Sequence, residues 1–382
     1  MTIDYKQNLR YTWWEEKTDG GLYYPDVSWE ILENQGLNHS DMEKTLDTLK
    51  DVSYGRTSWD KFNLMWVKLI AKKHTSEESG SNFWIERANA DKITEKRIDE
   101  AKTLDDLVKI LGYADYDKLK AEDGYEKFYK PKNISIGELY RSDSSGTTGA
   151  PKTVYHGPLP LTFSALDEVT GIINTVPQSE LNGKKLLCLG PTGAYQEEHR
   201  IITDILNMDY FDLSFNTRGL KNKSPEEINK IIGPVIKRTI DELIKGDVGI
   251  MTGTPQVLYG IPKELIEKVT MIKMSGVEIN ANEIHRLERE YGAKGTKFMP
   301  MYGHFAGKSS IGIVNNESIE YFPPYPFTIY KFGNSVGYGQ RDRAELIVAQ
   351  PELLLIHPED YGKKVKSNEM FNEVDGIADP SR

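Results

Sequence analysis

The residue types best suited to chemistry lie in one run, Ser144-Ser145-Gly146-Thr147-Thr148-Gly149-Ala150-Pro151-Lys152. Gly146 and Gly149 have no Cβ, so the chain can bend sharply there and turn backbone N–H groups toward a phosphate. Ser144, Ser145, Thr147 and Thr148 add hydroxyl donors, Pro151 stiffens the exit, and Lys152 supplies a positive charge. A small, donor-rich loop ending in a cation is what a polyphosphate needs. Strand-like runs, Gly137–Arg141 and Thr153–Tyr155, flank it, so it is expected to be the turn of a hairpin. The spacing is not G-x-x-x-x-G-K-[ST], because Pro151 separates Ala150 from Lys152, and that disfavours a phosphotransferase or NTPase. The plain alternative is a flexible Ser/Gly loop with a solvated Lys152.

The run resembles the signature loop of the adenylate-forming superfamily of acyl-CoA synthetases, adenylation domains and luciferases. Within it, the chain is most similar to the phenylacetate–CoA ligase branch. Further landmarks follow in the family's order, over roughly residues 135–340. Val248–Pro255 resembles the strand and turn before the nucleotide site. Lys273-Met274-Ser275-Gly276-Val277-Glu278 is similar to the segment that walls the adenine pocket, and Tyr302-Gly303 to the pair whose tyrosine stacks on adenine. The resemblance implies ATP-dependent adenylation of a small carboxylic acid, with release of pyrophosphate and then transfer to CoA or a carrier thiol. Thr147, Thr148 and Lys152 would steady the phosphates, with Ser144, Ser145, Gly146 and Gly149 shaping the cradle. Gly276, Val277, Glu278, Tyr302 and Gly303 would hold adenine. Asp375 or Asp379 would hold ribose, since a carboxylate accepts from both hydroxyls.

Two departures from the family pattern bear on the chemistry. The glutamate that helps hold Mg²⁺ has Ala306 in its place, within Tyr302-Gly303-His304-Phe305-Ala306, and Mg²⁺ needs oxygen ligands. Glu278, Glu197 or Glu198 is the substitute to test, and the metal ligands stay unassigned. The chain also stops at Val374–Arg382, where the family's mobile C-terminal domain and its catalytic lysine would begin. Either a separate subunit supplies that lysine, or an internal cation such as Lys308 replaces it, or the protein is an inactive nucleotide- and acyl-binding module of a larger complex. For Lys308 a solvated loop position is the plainer expectation, because lysine is rarely buried.

Gly193–His199 stands where the family shapes its acyl pocket, which makes Tyr195 and His199 candidate substrate contacts, with a capping or surface role the alternative for His199. His304, beside the expected reacting carboxylate, is a third candidate. Cys188, the only cysteine, lies in the apolar run Lys185–Gly190 and reads as a buried structural thiol. Neither a GxSxG elbow nor clustered Cys/His metal spacing is present.

These residues need a frame. Residues 1–40 are aromatic-rich (Trp13, Trp14, Tyr23, Tyr24, Trp29) and read as an arm packed over another surface. From about 41 to 112 the pattern is helical, with Phe62, Met65, Trp66, Leu69 and Ile70 forming one face. Thr103–Asp106 opens a helix with a cap, and the polar loop Thr75–Asn82 is expected to be mobile. After 134, short apolar runs alternate with amphipathic helices. Candidate strands are Lys185–Leu189, Tyr210–Phe215, Val248–Met251, Val269–Met274 and Lys297–Met301. Ser224-Pro225-Glu226-Glu227 and Asn280–Glu283 start helices ending near Lys245 and Tyr291. From about 309 the runs are strand-like: Ser310–Val314, Ser318–Phe322, Phe327–Phe332 and Glu345–Ala349. The expected fold class is therefore α/β, like the N-terminal domain of an adenylate-forming enzyme, with mainly parallel sheets flanked by helices. Residues 1–134 form an aromatic arm and helical region, 135–308 an α/β nucleotide-binding core, and 309–382 a β-rich subdomain with a C-terminal tail.

Composition fits a soluble globular protein: 382 residues, 38% hydrophobic and 28% charged. A net charge of −10 argues against a nucleic-acid coat, which needs a basic surface. No apolar run approaches the ~20 residues that span a bilayer. With no secretory start and a single cysteine, a cytoplasmic location is expected. Oligomeric state, monomer or homo-oligomer, is not encoded legibly.

Overall fold

The computed structural model describes residues 35–53, 56–144, 150–216, 223–275, 279–333, 335–366 and 375–381. The aromatic residues Trp13, Trp14, Tyr23, Tyr24 and Trp29 lie outside them. Among the described residues, five helices precede the first strand: α1 (His39–Ser53), α2 (Trp59–Thr75), α3 (Asn82–Asp91), α4 (Glu95–Glu100) and α5 (Leu104–Leu111). Helix α2 starts where the Ser58 hydroxyl accepts the Lys61 N–H, and it buries Phe62, Trp66, Leu69 and Ile70. Met65, at the margin of that face, takes the Thr48 hydroxyl on its sulfur at 3.1 Å. Helix α5 opens with a full capping box between Thr103 and Asp106. The loop expected to be mobile is a closed turn instead. Gly80 N–H donates to Ser76 O and Ser81 N–H to His74 O, which buries Ser81 despite its polarity.

A two-stranded antiparallel hairpin follows, β1 (Tyr140–Asp143) and β2 (Thr153–His156). Helix α6 (Pro158–Thr175) then leads into the main sheet. Strands β3 (Lys185–Cys188), β4 (Asp209–Asp212), β5 (Val248–Gly253), β6 (Met271–Met274) and β7 (Lys297–His304) lie parallel in the order β4-β3-β5-β6-β7. Between them run α7 (Ala194–Leu206), α8 (Pro225–Lys245), the short α9 (Pro255–Leu258) and α10 (Lys263–Ile266), and α11 (Ala281–Tyr291). The caps read from sequence hold: Ser224 and Glu227 form a capping box, and Asn280 accepts the Glu283 N–H at 2.9 Å.

Successive strand residues alternate between two apolar layers. Leu186, Ile250 and Met271 pack with α6 and α7, while Leu187, Met251 and Ile272 join the layer on the opposite face. Cys188 is fully buried among the first group, and burial pushes its thiol up to about 12, as a structural thiol requires.

Strand β7 is longer than its sequence suggests. Its first residues pair parallel with β6, and Met301–His304 pair antiparallel with β8 (Lys308–Val314). The sheet then continues antiparallel through β9 (Ile319–Phe322), β13 (Gly376–Ser381), β12 (Leu353–Val365), β11 (Arg341–Gln350) and β10 (Thr328–Lys331), making eleven strands among the described residues. Two of these strands had no sequence reading. The β12 start, Leu353-Leu354-Leu355-Ile356, is a continuous apolar run with no period, and β13 carries Gly376 and Pro380, which argue against a strand.

The helical region docks on the turn between β11 and β12. Trp66 and Trp84 donate their indole N–H groups to Ala349 O (2.9 Å) and Leu354 O (2.8 Å). The Tyr125 hydroxyl donates to Glu352 O, and His74 Nε2 lies 3.2 Å from Gln350 O. Large apolar bodies are thereby buried while their polar tips satisfy backbone carbonyls. Among the described residues, no helix is long and apolar enough to cross a membrane.

Candidate functional site

The hairpin places the donor-rich loop. Asp143 pairs with Thr153, and the ladder then closes through Ser144 N–H to Lys152 O and Lys152 N–H to Ser144 Oγ, both 2.8 Å. Arg141 donates to both oxygens of Asp143, and the Thr153 hydroxyl donates to the same carboxylate. The neck of the loop is thus fixed, as the hairpin reading requires, but its first strand begins at Tyr140, because Ile136–Glu138 forms a 3-10 turn. Ser145, Gly146, Thr147, Thr148 and Gly149 lie outside the described residues. Lys152 Nζ sits 5.4 Å from the centre of the Tyr116 ring, which itself stacks on His357 at 3.7 Å.

Three contacts seat this hairpin on the sheet. Gly193 has φ +87°, and a Cβ there would stand 2.3 Å from Arg141 O, so glycine lets the start of α7 approach β1. His156 reaches Phe305 O with Nε2 and the Gln350 side chain with Nδ1, each at 2.9 Å. Gly157 N–H donates to the buried Glu352 carboxylate, whose pKa burial raises to about 7. Burial, with Lys308 nearby, lowers His156 to about 3.

At the C-terminal ends of the parallel strands, where ligands of such sheets bind, Tyr195 covers Gly190 closely: a Cβ on Gly190 would meet its ring at 2.4 Å. Its hydroxyl end reaches Thr252 and Ser275, and burial, reinforced by Cys188, drives the phenol upward. Tyr302 lies in β7 opposite Ser310, with its ring 5.5 Å from Tyr321 and 6.5 Å from Tyr330. Beside it Gly303 is exposed, and a Cβ there would meet nothing within 4 Å. Gly276, Val277 and Glu278 lie outside the described residues, directly after Ser275. Asp375 precedes β13, 3.1 Å from the Tyr338 hydroxyl and 3.3 Å from Lys364 Nζ. Two residues on, Ile377 pairs with Tyr321, the neighbour of Tyr302. Asp379 instead accepts the Ile319 N–H and pairs with Lys363, which makes it part of the strand packing.

The turn after Tyr302 is held from every side. His304 Nδ1 accepts N–H bonds from Ala306 (3.1 Å) and Gly307 (2.9 Å), which puts its ring proton on Nε2. Ala306 is fully buried and offers no ligand atom on its side chain. Lys308 is not the solvated loop lysine its sequence suggests. It is buried at the start of β8, with φ +66°, and its ammonium lies 3.0 Å from Glu198 Oε2. That ion pair and the hydrogen bond from the Ser164 hydroxyl also remove Glu198 as a metal ligand. Glu197 is half-buried beside Arg200 and Tyr140. Among the described residues, no group of three or more His, Cys, Asp or Glu side chains is placed to hold a metal ion.

His199 corrects a second expectation. It is neither a helix start nor a surface residue: α7 begins at Ala194, and His199 is fully buried. Its Nδ1–H donates to Tyr195 O at 2.7 Å, and its Nε2 lies 2.8 Å from Lys273 Nζ. Both nitrogens are engaged inside the protein, one by Tyr195 and the other by Lys273. Lys273 also pairs with Glu168 of α6, whose other oxygen has no hydrogen-bond partner among the described residues. Burial holds Glu168 above the usual carboxylate range and His199 well below the usual imidazole range, each resisting charge in a dry layer. Sequence reading missed Glu168, Lys273 in this role, and His156. The signal was a charged residue inside an apolar run, as in Met271-Ile272-Lys273-Met274.

No protein-family model and no curated protein matches the sequence. Solved structures do. A 2-hydroxyisobutyryl-CoA ligase in its postadenylation state, in complex with R3-HIB-AMP, superposes with a TM-score of 0.59 at 13% identity, covering 85% of this chain and 67% of that one. The same ligase with 2-HIB-AMP and CoA in the thioesterification state gives 0.59 at 14% identity, covering 83% and 66%. This chain thus spans about two thirds of the length of those ligases. Over that span the chain has the fold of the adenylate-forming enzymes.

Proposed function

We propose that this chain binds ATP through Ser144–Lys152 and adenylates a small carboxylic acid, releasing pyrophosphate. The observation that carries this reading is the closed hairpin neck, Asp143–Ser144 against Lys152–Thr153, seated by Gly193 and His156 against the strand-end face that holds Tyr195 and Tyr302. Backbone N–H groups, the hydroxyls of Thr147 and Thr148, and Lys152 would hold the phosphates. Charge stabilisation by donors fixed in advance is the main catalytic resource of such a site. Tyr302, with Gly276–Glu278, would flank adenine, and Asp375 would meet ribose. Tyr195 and His304 remain the acid-side contacts, His304 as an Nε2–H donor.

Mg²⁺ bound among the phosphates would neutralise charge on the leaving pyrophosphate, with Glu278 as its candidate carboxylate. Support for a thioester step comes from the fold-mate captured with CoA, and in this chain the step would take help from another subunit or an acyl carrier. The phenylacetate–CoA ligase branch remains the suggested kinship. Buried Ala306, at the position of the family's metal-holding glutamate, favours a second reading: a module that binds nucleotide or acyl ligand without turnover. Pyrophosphate–ATP exchange across a panel of carboxylic acids separates the two. Exchange that Lys152→Ala abolishes establishes adenylation; ATP binding without exchange for any acid establishes the module. A protein that does neither overturns both.

A further inference from the structure

His156, the last residue of β2, reaches from the hairpin to the turn after Tyr302, and it does so from full burial. Phe305 O can only accept, so the ring proton belongs on Nε2. Nδ1 then presents a lone pair 2.9 Å from the Gln350 amide and needs a donor. As placed, the amide turns its oxygen to that lone pair, while Gln350 Nε2 is buried with no partner among the described residues. The two amide orientations differ by a half-turn and are assigned from the hydrogen-bond network. The half-turned amide donates Nε2–H to His156 Nδ1, which ends the repulsion between lone pairs and pairs the buried donor; the oxygen takes the position without a partner, where a carbonyl is better tolerated than an N–H. An imidazolium donating to both neighbours is the other solution, and burial beside Lys308 opposes it.

The connection continues on both sides. Gln350 O takes His74, its neighbour Ala349 takes Trp66, and Glu352 caps Gly157 immediately after His156. The β11–β12 turn is therefore gripped by the helical region on one side and grips the end of β2 on the other. Phe305, in turn, precedes the buried pair Ala306 and Gly307 that His304 fixes.

We propose that His156, held as the neutral Nε2–H tautomer by a half-turned Gln350 amide, is the positioning residue that keeps the phosphate-loop hairpin in register with the Tyr302–Gly307 turn. This rests on reading 144–152 as a nucleotide loop, and the consequence is that ATP affinity depends on a donor at position 156. Glutamine can place an N–H near the position of Nε2, and leucine cannot.

The experiment compares wild type, His156→Gln, His156→Leu and Gln350→Met in three measurements: ATP affinity, amide exchange across β1 and β2 with α8 as internal reference, and the ¹⁵N shifts of the His156 ring. His156→Gln should keep ATP affinity within about 3-fold, and His156→Leu should weaken it about 10-fold or more. His156→Leu should also speed exchange in the hairpin and leave α8 unchanged. If the leucine variant does not fold, Gln350→Met carries the same comparison. An Nδ1–H tautomer, a leucine variant indistinguishable from wild type, or a rise in exchange shared equally by α8 overturns the proposal. A wild type that binds no ATP overturns the nucleotide reading alone, because hairpin exchange still decides whether His156 is the anchor.

Discussion

Lys152 and Lys273 carry the same charge in two regions built on opposite terms. Lys152 leaves the hairpin half-buried, its ammonium over the face of Tyr116. Lys273 is fully enclosed between Glu168 and His199, next to a second buried pair formed by Glu198 and Lys308. A cation meant for a ligand must keep its donors uncommitted and stay near water. Removing a cation from water is tolerable only when partners replace the lost hydration. The hairpin region is thus suited to exchange its partner, and the layer beneath it to keep one arrangement.

The sharpest way to break this contrast is Lys273→Met. Taking one partner from a buried pair should cost about 3–5 kcal/mol in urea unfolding, and adding Glu168→Gln should restore part of it. A loss below about 1 kcal/mol, the level of a surface pair, would erase the distinction.

The next test uses pH at Glu352, another enclosed carboxyl. Its folded pKa, about 7, lies above the ordinary value of 4.5, so the folded state holds a proton that the unfolded chain releases. Its contribution is complete below about pH 4.5 and is lost as pH rises through about 7. Unfolding free energies at pH 4.5 and 8 should therefore fall for wild type relative to Glu352→Gln by on the order of 2–3 kcal/mol. An equal pH response of the two proteins would show that Glu352 is not held neutral.

Lys152→Ala sharpens the contrast from the other side. Stability should change by no more than about 0.5 kcal/mol, while pyrophosphate exchange, on the proposed function, should fall about 100-fold. A destabilised but active variant would make Lys152 structural. The smallest effect belongs to a purely local feature: Thr103→Ala should lower stability by about 1 kcal/mol, read from the denaturation midpoint.

Legibility in the sequence followed the range of the forces involved. The caps at Thr103, Ser224 and Asn280 involve partners three residues away, and all formed as read. The strand β4 ended early, at Asp212, with Phe215 left in an isolated bridge to Pro191. Lys308 and His199 were misread for one reason. Residue type gives the average environment of a lysine or histidine, and here the environment is set by Glu198 and Lys273 on other elements.

The hairpin neck around the donor-rich run, the capped helix starts at Thr103, Ser224 and Asn280, and the alternating faces of the parallel strands were determined by the sequence itself. Each depends on backbone freedom, a nearby cap or a period of two, which neighbours along the chain are enough to set. Only the tertiary structure decided that β7 would bend from a parallel to an antiparallel partnership, that Gly376–Ser381 would be a strand, and that His156 would meet Phe305. Contacts between residues 149 positions apart are chosen by how layers pack, and no local pattern carries that information.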